Sequence, residues 1–251
     1  MIDIHTHLLP GVDDGSPSID ASLPVLRRFA ESGVELVVCT PHLEASRASD
    51  APHEHHREIF ERLRAAAPSV PQLLLGWEIM LDAPGVDLTD PRLALGGSSA
   101  VLVEFPARHL PPNTTRELAR LRDSGVVPVV AHPERYRPCS PALVAEWRDA
   151  GAVVQVDVSG LFGSKRSSGF AEALLAHGLV DIFASDTHVD ARSLEAGRRW
   201  LSAVTSPDVV RLLTRENARR LLANQTLVHV PAIRLRHGIL QRLRALVLGR
   251  P

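Results

Sequence analysis

Seven runs of apolar, largely β-branched residues punctuate the chain: MIDI at residues 1–4, VELVVCT (34–40), QLLLGWEI (72–79), AVLVEFP (100–106), VVPVVAH (126–132), AVVQVDV (152–158) and VDIFAS (180–185). Several are nearly continuous rather than alternating, the pattern of a strand covered on both faces in a parallel sheet flanked by helices. The segments between them carry helical spacing. In DASLPVLRRFAESG, Leu23, Leu26, Phe29 and Ala30 share one face and Gly33 supplies a stop. HHREIFERLRAAA, TTRELARLRDSG, SPALVAEWRDAG, FAEALLAHG and ARSLEAGRRWLSAV repeat the theme. An SG, AG or HG pair precedes four of the strands, the expected chemistry where a helix hands over to a strand. Strands alternating with helices predict an α/β fold of mostly parallel strands, and seven strands make a barrel-like count. No internal repeat or long low-complexity linker divides the 251 residues, so a single domain is expected over 1–225, followed by a basic tail at 226–251.

The polar residues that interrupt this pattern fall in one kind of place. His5 and His7 end the first strand, and side chains at i and i+2 of a strand point the same way. An isolated H-x-H is more often a polar strand face than a metal site. Here it has company. Asp14 lies in the following loop, His42 follows strand two, Glu78 and Glu104 lie near the ends of strands three and four, His132 ends strand five, and Asp186 and His188 follow strand seven. In a barrel of parallel strands these carboxyl ends converge on one face, where active sites are built. Imidazole and carboxylate together suit zinc, manganese or iron, and carboxylates can bridge two cations. Nine ligands are too many for one ion. His53, His55 and His56 open a helix and are expected on a solvated face, while His109, His177, His229 and His237 share no strand-end placement.

Composition narrows the chemistry further. Cys39 and Cys139 are the only cysteines, with no C-x-x-C pattern. A cysteine-based phosphatase needs an arginine six positions past its nucleophile, but Ala45 and Ala145 stand there, which excludes that mechanism. A formal net charge of −1 recommends neither nucleic acid nor an anionic membrane as partner. There is no secretory segment and no apolar run of membrane-spanning length, so a reducing cytoplasm is the expected location. Within the tail, Ile233, Ile239, Leu240, Leu243, Leu246 and Val247 predict a basic amphipathic helix, either packed on the barrel or docked on an anionic bilayer or a membrane-associated partner.

HTHLLPGVDDG, TPH, GWE, VEFP, AHPERY, SDTH and ENARRLLAN resemble, in order and over nearly the whole chain, the PHP (polymerase and histidinol phosphatase) superfamily. LPGVDDG, EFP and AHPERY resemble more narrowly its bacterial metal-dependent tyrosine-protein phosphatases, which oppose the tyrosine autokinases of capsular and extracellular polysaccharide synthesis. The resemblance implies a distorted (β/α)7 barrel with three divalent ions, usually assigned manganese, with iron or zinc as alternatives. Carried over by motif, His5, His7, Glu78 and Asp186 would hold one ion, Glu78 would bridge to a second held by Glu104 and His132, and Asp14, His42 and His188 would hold the third. Arg135 matches the arginine set against the substrate phosphate, and Arg192 is a candidate for a second, one residue out of step with the family. The implied partner is a phosphotyrosine protein, a tyrosine autokinase, with membrane contact only through that kinase or the tail. After TPH the chain reads LEASRASDAPHEHHRE and departs from the family pattern, so the substrate rim is expected to differ. Three rivals remain: the amidohydrolase-like group, whose bridging lysine has only Lys165 to fill it; a histidinol-phosphate phosphatase; and a catalytically impaired module docking through its tail.

Overall fold

One of the seven apolar runs breaks before it ends and another resumes past Pro41 as a separate strand, so the computed structural model, which describes residues 1–107 and 109–234, holds nine short strands. They are β1 (Ile2–Thr6), β2 (Leu36–Cys39), β3 (His42–Glu44), β4 (Gln72–Leu75), β5 (Glu78–Met80), β6 (Ala100–Glu104), β7 (Val127–Ala131), β8 (Val153–Asp157) and β9 (Ile182–Ala184). The first break falls at Thr40 and Pro41, where proline has no N–H for the ladder. The second falls at Gly76 and Trp77, where Gly76 comes so close to Leu95 that a Cβ would sit 2.8 Å from its side chain.

Every strand pairing is parallel, in a sheet ordered β1-β2-β4 and a second ordered β3-β5-β6-β7-β8-β9. Because β2 runs on into β3 and β4 into β5, the extended segments lie side by side in chain order, the topology of a (β/α)7 barrel. Closure is partial. Between β9 and β1 there is only a single bridge, Thr6 to Thr187, with Asp186 N donating to His5 O at 3.0 Å and His7 N to Thr187 O at 2.9 Å.

Helices cover the outside: α1 (Ile19–Glu31), α2 (His53–Ala66), α3 (Thr114–Asp123), α4 (Pro141–Asp149), α5 (Val158–Phe162), α6 (Lys165–Ala176), α7 (Leu194–Val204), α8 (Pro207–Arg211) and α9 (Asn217–Leu222). Gly33, Gly125, Gly151 and Gly178 all take positive φ, the conformation that ends each preceding helix at little cost. The stretch GLFGSKRSSGF runs from the end of α5 into α6, where Ser164 caps α6 by accepting from Ser167 N at 3.2 Å.

The interior explains where polarity can go. One buried cluster gathers Ile2, Ile4, Val38, Ala100, Leu102, Val129, Ala131, Val153, Ile182 and Ala184 with Ala218 and Leu221 of α9. Strand side chains alternate, so further along the same face of β6 comes Glu104, and along that of β8 come Gln155 and Asp157. The barrel is thus apolar at the amino ends of its strands and polar at their carboxyl ends. β1 slips register between Asp3 and Thr6, the stretch that carries His5.

One sequence expectation changes. His56 is 5% exposed and stacks on Trp77 with ring centroids 4.4 Å apart, so only His55 of that histidine group lies on a solvated face. Of the tail, Val230 and Ile233 are buried and Ile233 N donates to Leu175 O of α6 at 2.9 Å, so its opening residues pack on the barrel. The amphipathic helix expected beyond lies outside the described residues.

Candidate metal centre

All nine residues expected as ligands come together at the carboxyl ends of the strands. Their ligand atoms form four overlapping groups: His7, Asp14, His42 and His188; His5, Glu78 and His132; His5, His7 and Asp186; and His42, Glu78 and Glu104. The geometry adds His7 to the set expected for the third ion and brings His42 to Glu104 at 3.5 Å. Glu78 is the hub. Its Oε1 lies 2.7 Å from His132 Nε2, and its Oε2 lies 3.1 Å from His5 Nε2, 3.2 Å from His7 Nε2 and 3.1 Å from His42 Nδ1. Asp14, exposed at the mouth, reaches His42 Nε2 at 3.4 Å and His188 Nε2 at 3.3 Å.

The hydrogen bonds behind the rings test whether this donor set fits a cation. His7 Nδ1 lies 2.8 Å from Asp13 Oδ2, and His5 Nδ1 lies 3.1 Å from Gln155 Oε1, so both rings face an acceptor at Nδ1. A neutral imidazole donating from Nδ1 presents a lone pair at Nε2. The two Nε2 atoms stand 3.2 Å apart, with Glu78 Oε2 and Asp186 Oδ1 beside both. Four acceptors aimed at one small volume repel unless positive charge sits between them, and imidazole with carboxylate is a donor set for a divalent ion. The residues fit.

Without that cation, protons take its place. Burial disfavours a charged ring, yet the Glu78 and Asp186 carboxylates outweigh it and raise His5 to about 9. Asp13, Asp186 and Glu78 likewise overcome burial to raise His7 well above its usual range. Glu78 and Asp186 are held well below the ordinary carboxylate range despite burial, in both cases first by His5. Metal binding must therefore displace protons, and affinity falls as pH falls. Two of the nine, His132 and Asp186, adopt left-handed backbone with φ of 34° and 49°, a conformation that costs energy and clusters at functional sites.

Arg135 and Arg192 converge on the same atom. Each guanidinium contacts Asp186 Oδ2, Arg192 at 2.8 Å, and Arg135 also donates to Asp157 Oδ2 at 2.5 Å. Both arginines therefore stand at the rim of the cluster, where an anion would meet two cations at once.

Sequence reasoning missed the residues behind the ligands. Asp13 was passed over for its neighbour, but it is Asp13 that orients His7; the DD pair in LPGVDDG was the available signal. Glu134, in the 3₁₀ turn Pro133–Arg135, accepts from Asp157 N at 3.0 Å and is pushed up to about 8 by burial and by Asp157. Burial also pushes the thiols of Cys39 and Cys139 up to about 12, so neither is a thiolate nucleophile at neutral pH.

Comparison with known proteins agrees. The tyrosine-protein phosphatase YwqE of Bacillus subtilis (strain 168) is 32% identical over 244 residues, 92% of this chain and 95% of YwqE. The tyrosine-protein phosphatase CpsB of Streptococcus pneumoniae is 30% identical over 207 residues, 76% of this chain and 85% of CpsB. A crystal structure from the pair YwqE and CpsB, described as unique metal-dependent tyrosine phosphatases, superposes with a TM-score of 0.78 at 29% identity, covering 94% of this chain and 100% of that one. An inactive dihydroorotase-like domain from Chaetomium thermophilum, at TM-score 0.53 and 12% identity over 88% of this chain and 78% of that one, shares the fold alone. Residues 1–223 match the family described as capsular polysaccharide synthesis, CpsB/CapC, and the chain belongs to that family.

Proposed function

We propose that the protein is a metal-dependent protein-tyrosine phosphatase acting on a phosphotyrosine protein, a tyrosine autokinase of capsular or extracellular polysaccharide synthesis. The observation that carries this reading is the convergence of imidazole and carboxylate side chains beside two arginines, in a chain 32% identical to a tyrosine-protein phosphatase. The ligands in this reading are His5, His7, Asp14, His42, Glu78, Glu104, His132, Asp186 and His188, and they hold three divalent ions, best manganese. Its place is the cytoplasm; among the described residues no helix is long and apolar enough to cross a membrane.

Divalent ions in this donor set would supply Lewis acidity and bring the pKa of water towards neutrality. The chain's own residues do the rest. Arg135 and Arg192 turn from Asp186 to the phosphoryl oxygens, where each guanidinium offers paired donors and neutralises charge that grows in the transition state. His5, His7, Glu78 and His132 are each no more than 2% exposed, so the inner wall of the site is dry and its electrostatics strong. A groove of about 470 Å3 beside His42 and Glu104 is lined by Val12, Leu43, Met80 and Trp77 together with Glu44, Arg47 and Asp50, giving an aromatic leaving group a wall of mixed polarity. Phenol has a pKa of about 10, so phenolate departs with less protonation than an alkoxide needs.

The test is a metal-replete assay series on a phosphotyrosine peptide, histidinol phosphate and single-stranded DNA, with elemental analysis of the same sample. Turnover of the peptide with about three metal equivalents supports the reading. Preference for histidinol phosphate overturns the substrate and leaves the centre in place.

A further inference from the structure

β8 carries Gln155 and Asp157 two residues apart, so both side chains leave the strand on the face that holds the ligands. Both are fully buried. A buried amide and a buried carboxylate are costly unless their polar atoms are matched, and these two are matched to one another and to the site on either side. Gln155 Oε1 lies 3.1 Å from His5 Nδ1, and Gln155 Nε2 donates to Asp157 Oδ1 at 2.9 Å. Asp157 Oδ2 accepts from Arg135 Nη2 at 2.5 Å.

The polarity of this chain has one solution. A carboxylate only accepts, so Gln155 must turn its NH2 towards Asp157 and its carbonyl oxygen towards His5. An acceptor at that position requires a proton on His5 Nδ1, which in the neutral ring that binds metal leaves the Nε2 lone pair for the volume shared with His7, Glu78 and Asp186. The other oxygen of Asp157 fixes the Arg135 guanidinium at the rim.

We propose that Gln155 and Asp157 are positioning residues that set the tautomer of His5 and the place of Arg135 through one hydrogen-bonded chain, so that the metal site and the phosphate-binding arginine are built as a unit. This rests on the reading of His5 as a metal ligand. It assigns work to two residues that touch neither metal nor substrate, and it makes a prediction that mere packing does not. In Asp157→Asn, the near-isosteric amide cannot accept from Arg135 and from Gln155 at once. If its oxygen stays on Arg135, its NH2 meets the NH2 of Gln155. Gln155 then flips and presents donors to His5, which favours the wrong tautomer. Adding Gln155→Glu repairs the polarity: the carboxylate introduced at position 155 accepts from His5 and from the amide introduced at position 157, and the oxygen of that amide accepts from Arg135.

The experiment measures Mn2+ affinity by calorimetry, kcat and KM on a phosphotyrosine peptide, and thermal unfolding, for wild type, His5→Ala, Gln155→Leu, Asp157→Asn and the double swap. Expected are Mn2+ affinity weakened about 10- to 100-fold in Gln155→Leu and Asp157→Asn, the range for lost support behind a ligand, a raised KM in Asp157→Asn, and recovery of most of the metal affinity in the swap. A swap no better than Asp157→Asn, or an Asp157→Asn protein that binds Mn2+ and peptide like wild type, overturns the proposal. Retention of all metal by His5→Ala overturns the ligand assignment beneath it, and the two failures are thereby distinguished. Should a variant not fold, nitrogen-15 spectra of histidine-labelled wild type loaded with Zn2+ decide: ligation of His5 through Nε2 with Nδ1 protonated supports the chain, and ligation through Nδ1 refutes it.

Discussion

Replacing Glu78 by glutamine removes one charge from the centre of the cluster while keeping size and shape. Glu78 is 1% exposed and its two oxygens reach four imidazoles, so solvent cannot substitute for it, and Asp186 and Glu104 each reach only two of the four. An amide retains one oxygen. If that oxygen stays 2.7 Å from His132 Nε2, the NH2 points at His5, His7 and His42, where it can donate to ring nitrogens but cannot hold a cation. Glu78→Gln is therefore expected to fold in chelator and to fail in metal. Charge-assisted contacts are worth about 1.5–3 kcal/mol each. Glu78 belongs to two of the four ligand groups. Losing at least one contact in each gives about 3–6 kcal/mol, or roughly two to four orders of magnitude in metal retention and in kcat/KM at about 1.4 kcal/mol per tenfold. The assay is elemental analysis after dialysis against a weak chelator, with turnover of a phosphotyrosine peptide and the melting temperature in chelator measured on the same preparation. Wild-type turnover with unchanged metal stoichiometry would refute the bridging role. A protein unfolded in chelator would refute the claim that the charge serves metal rather than the fold.

Three further outcomes are expected. Gly15→Ala places a Cβ 2.2 Å from His7 O and 2.3 Å from His7 Cβ, so the loop bearing Asp13 and Asp14 must shift; denaturant titration should show a loss of about 1–3 kcal/mol together with reduced metal content. His56 is held down to about 4 by burial, then by His55, so between 6.5 and 4 the unfolded chain binds more protons and stability falls with pH by about 2–3 kcal/mol; His56→Phe, which keeps the stack on Trp77, should flatten that part of the wild-type stability profile. Alkylating reagents at pH 7.5 should leave activity intact, because the Cys39 and Cys139 thiols lie near 12, and inactivation by iodoacetamide would reopen a thiol mechanism.

The convergence of the candidate ligands was legible in the sequence because parallel topology makes a simple promise: whatever polar residue ends an apolar run arrives at the same rim as every other. His42, Glu78, Glu104 and His132 needed no more than that. Asp13 and Asp14 could not be separated this way, since adjacent residues of a loop share every sequence property and differ in which one is buried under His7. Gln155 and Asp157 were hidden for another reason. AVVQVDV scans as a continuous buried strand, and only the register Ala131 to Gln155 and Gln155 to Ile182 shows that its polar residues face the ligands. His56 opens a polar helix and is buried by Trp77, a residue on a different strand break, which periodicity within the helix does not report. The breaks themselves were written in Pro41 and Gly76, though strand propensity on either side masked them.

The seam between β9 and β1, held by one bridge and two backbone hydrogen bonds, gives the metal centre a mechanical office as well as a chemical one. His5 and His7 stand on one side of the seam and Asp186 on the other, within 3.3 Å across it. An ion held between them is a hoop round the staves: it joins positions about 180 residues apart in the chain, and because it binds only the folded barrel it stabilises that state by mass action. Chelation would then do more than silence the enzyme. It would loosen the first strand from the last, and amide exchange at His7 and Asp186, whose N–H groups bond across the seam, would report the barrel springing open along that line.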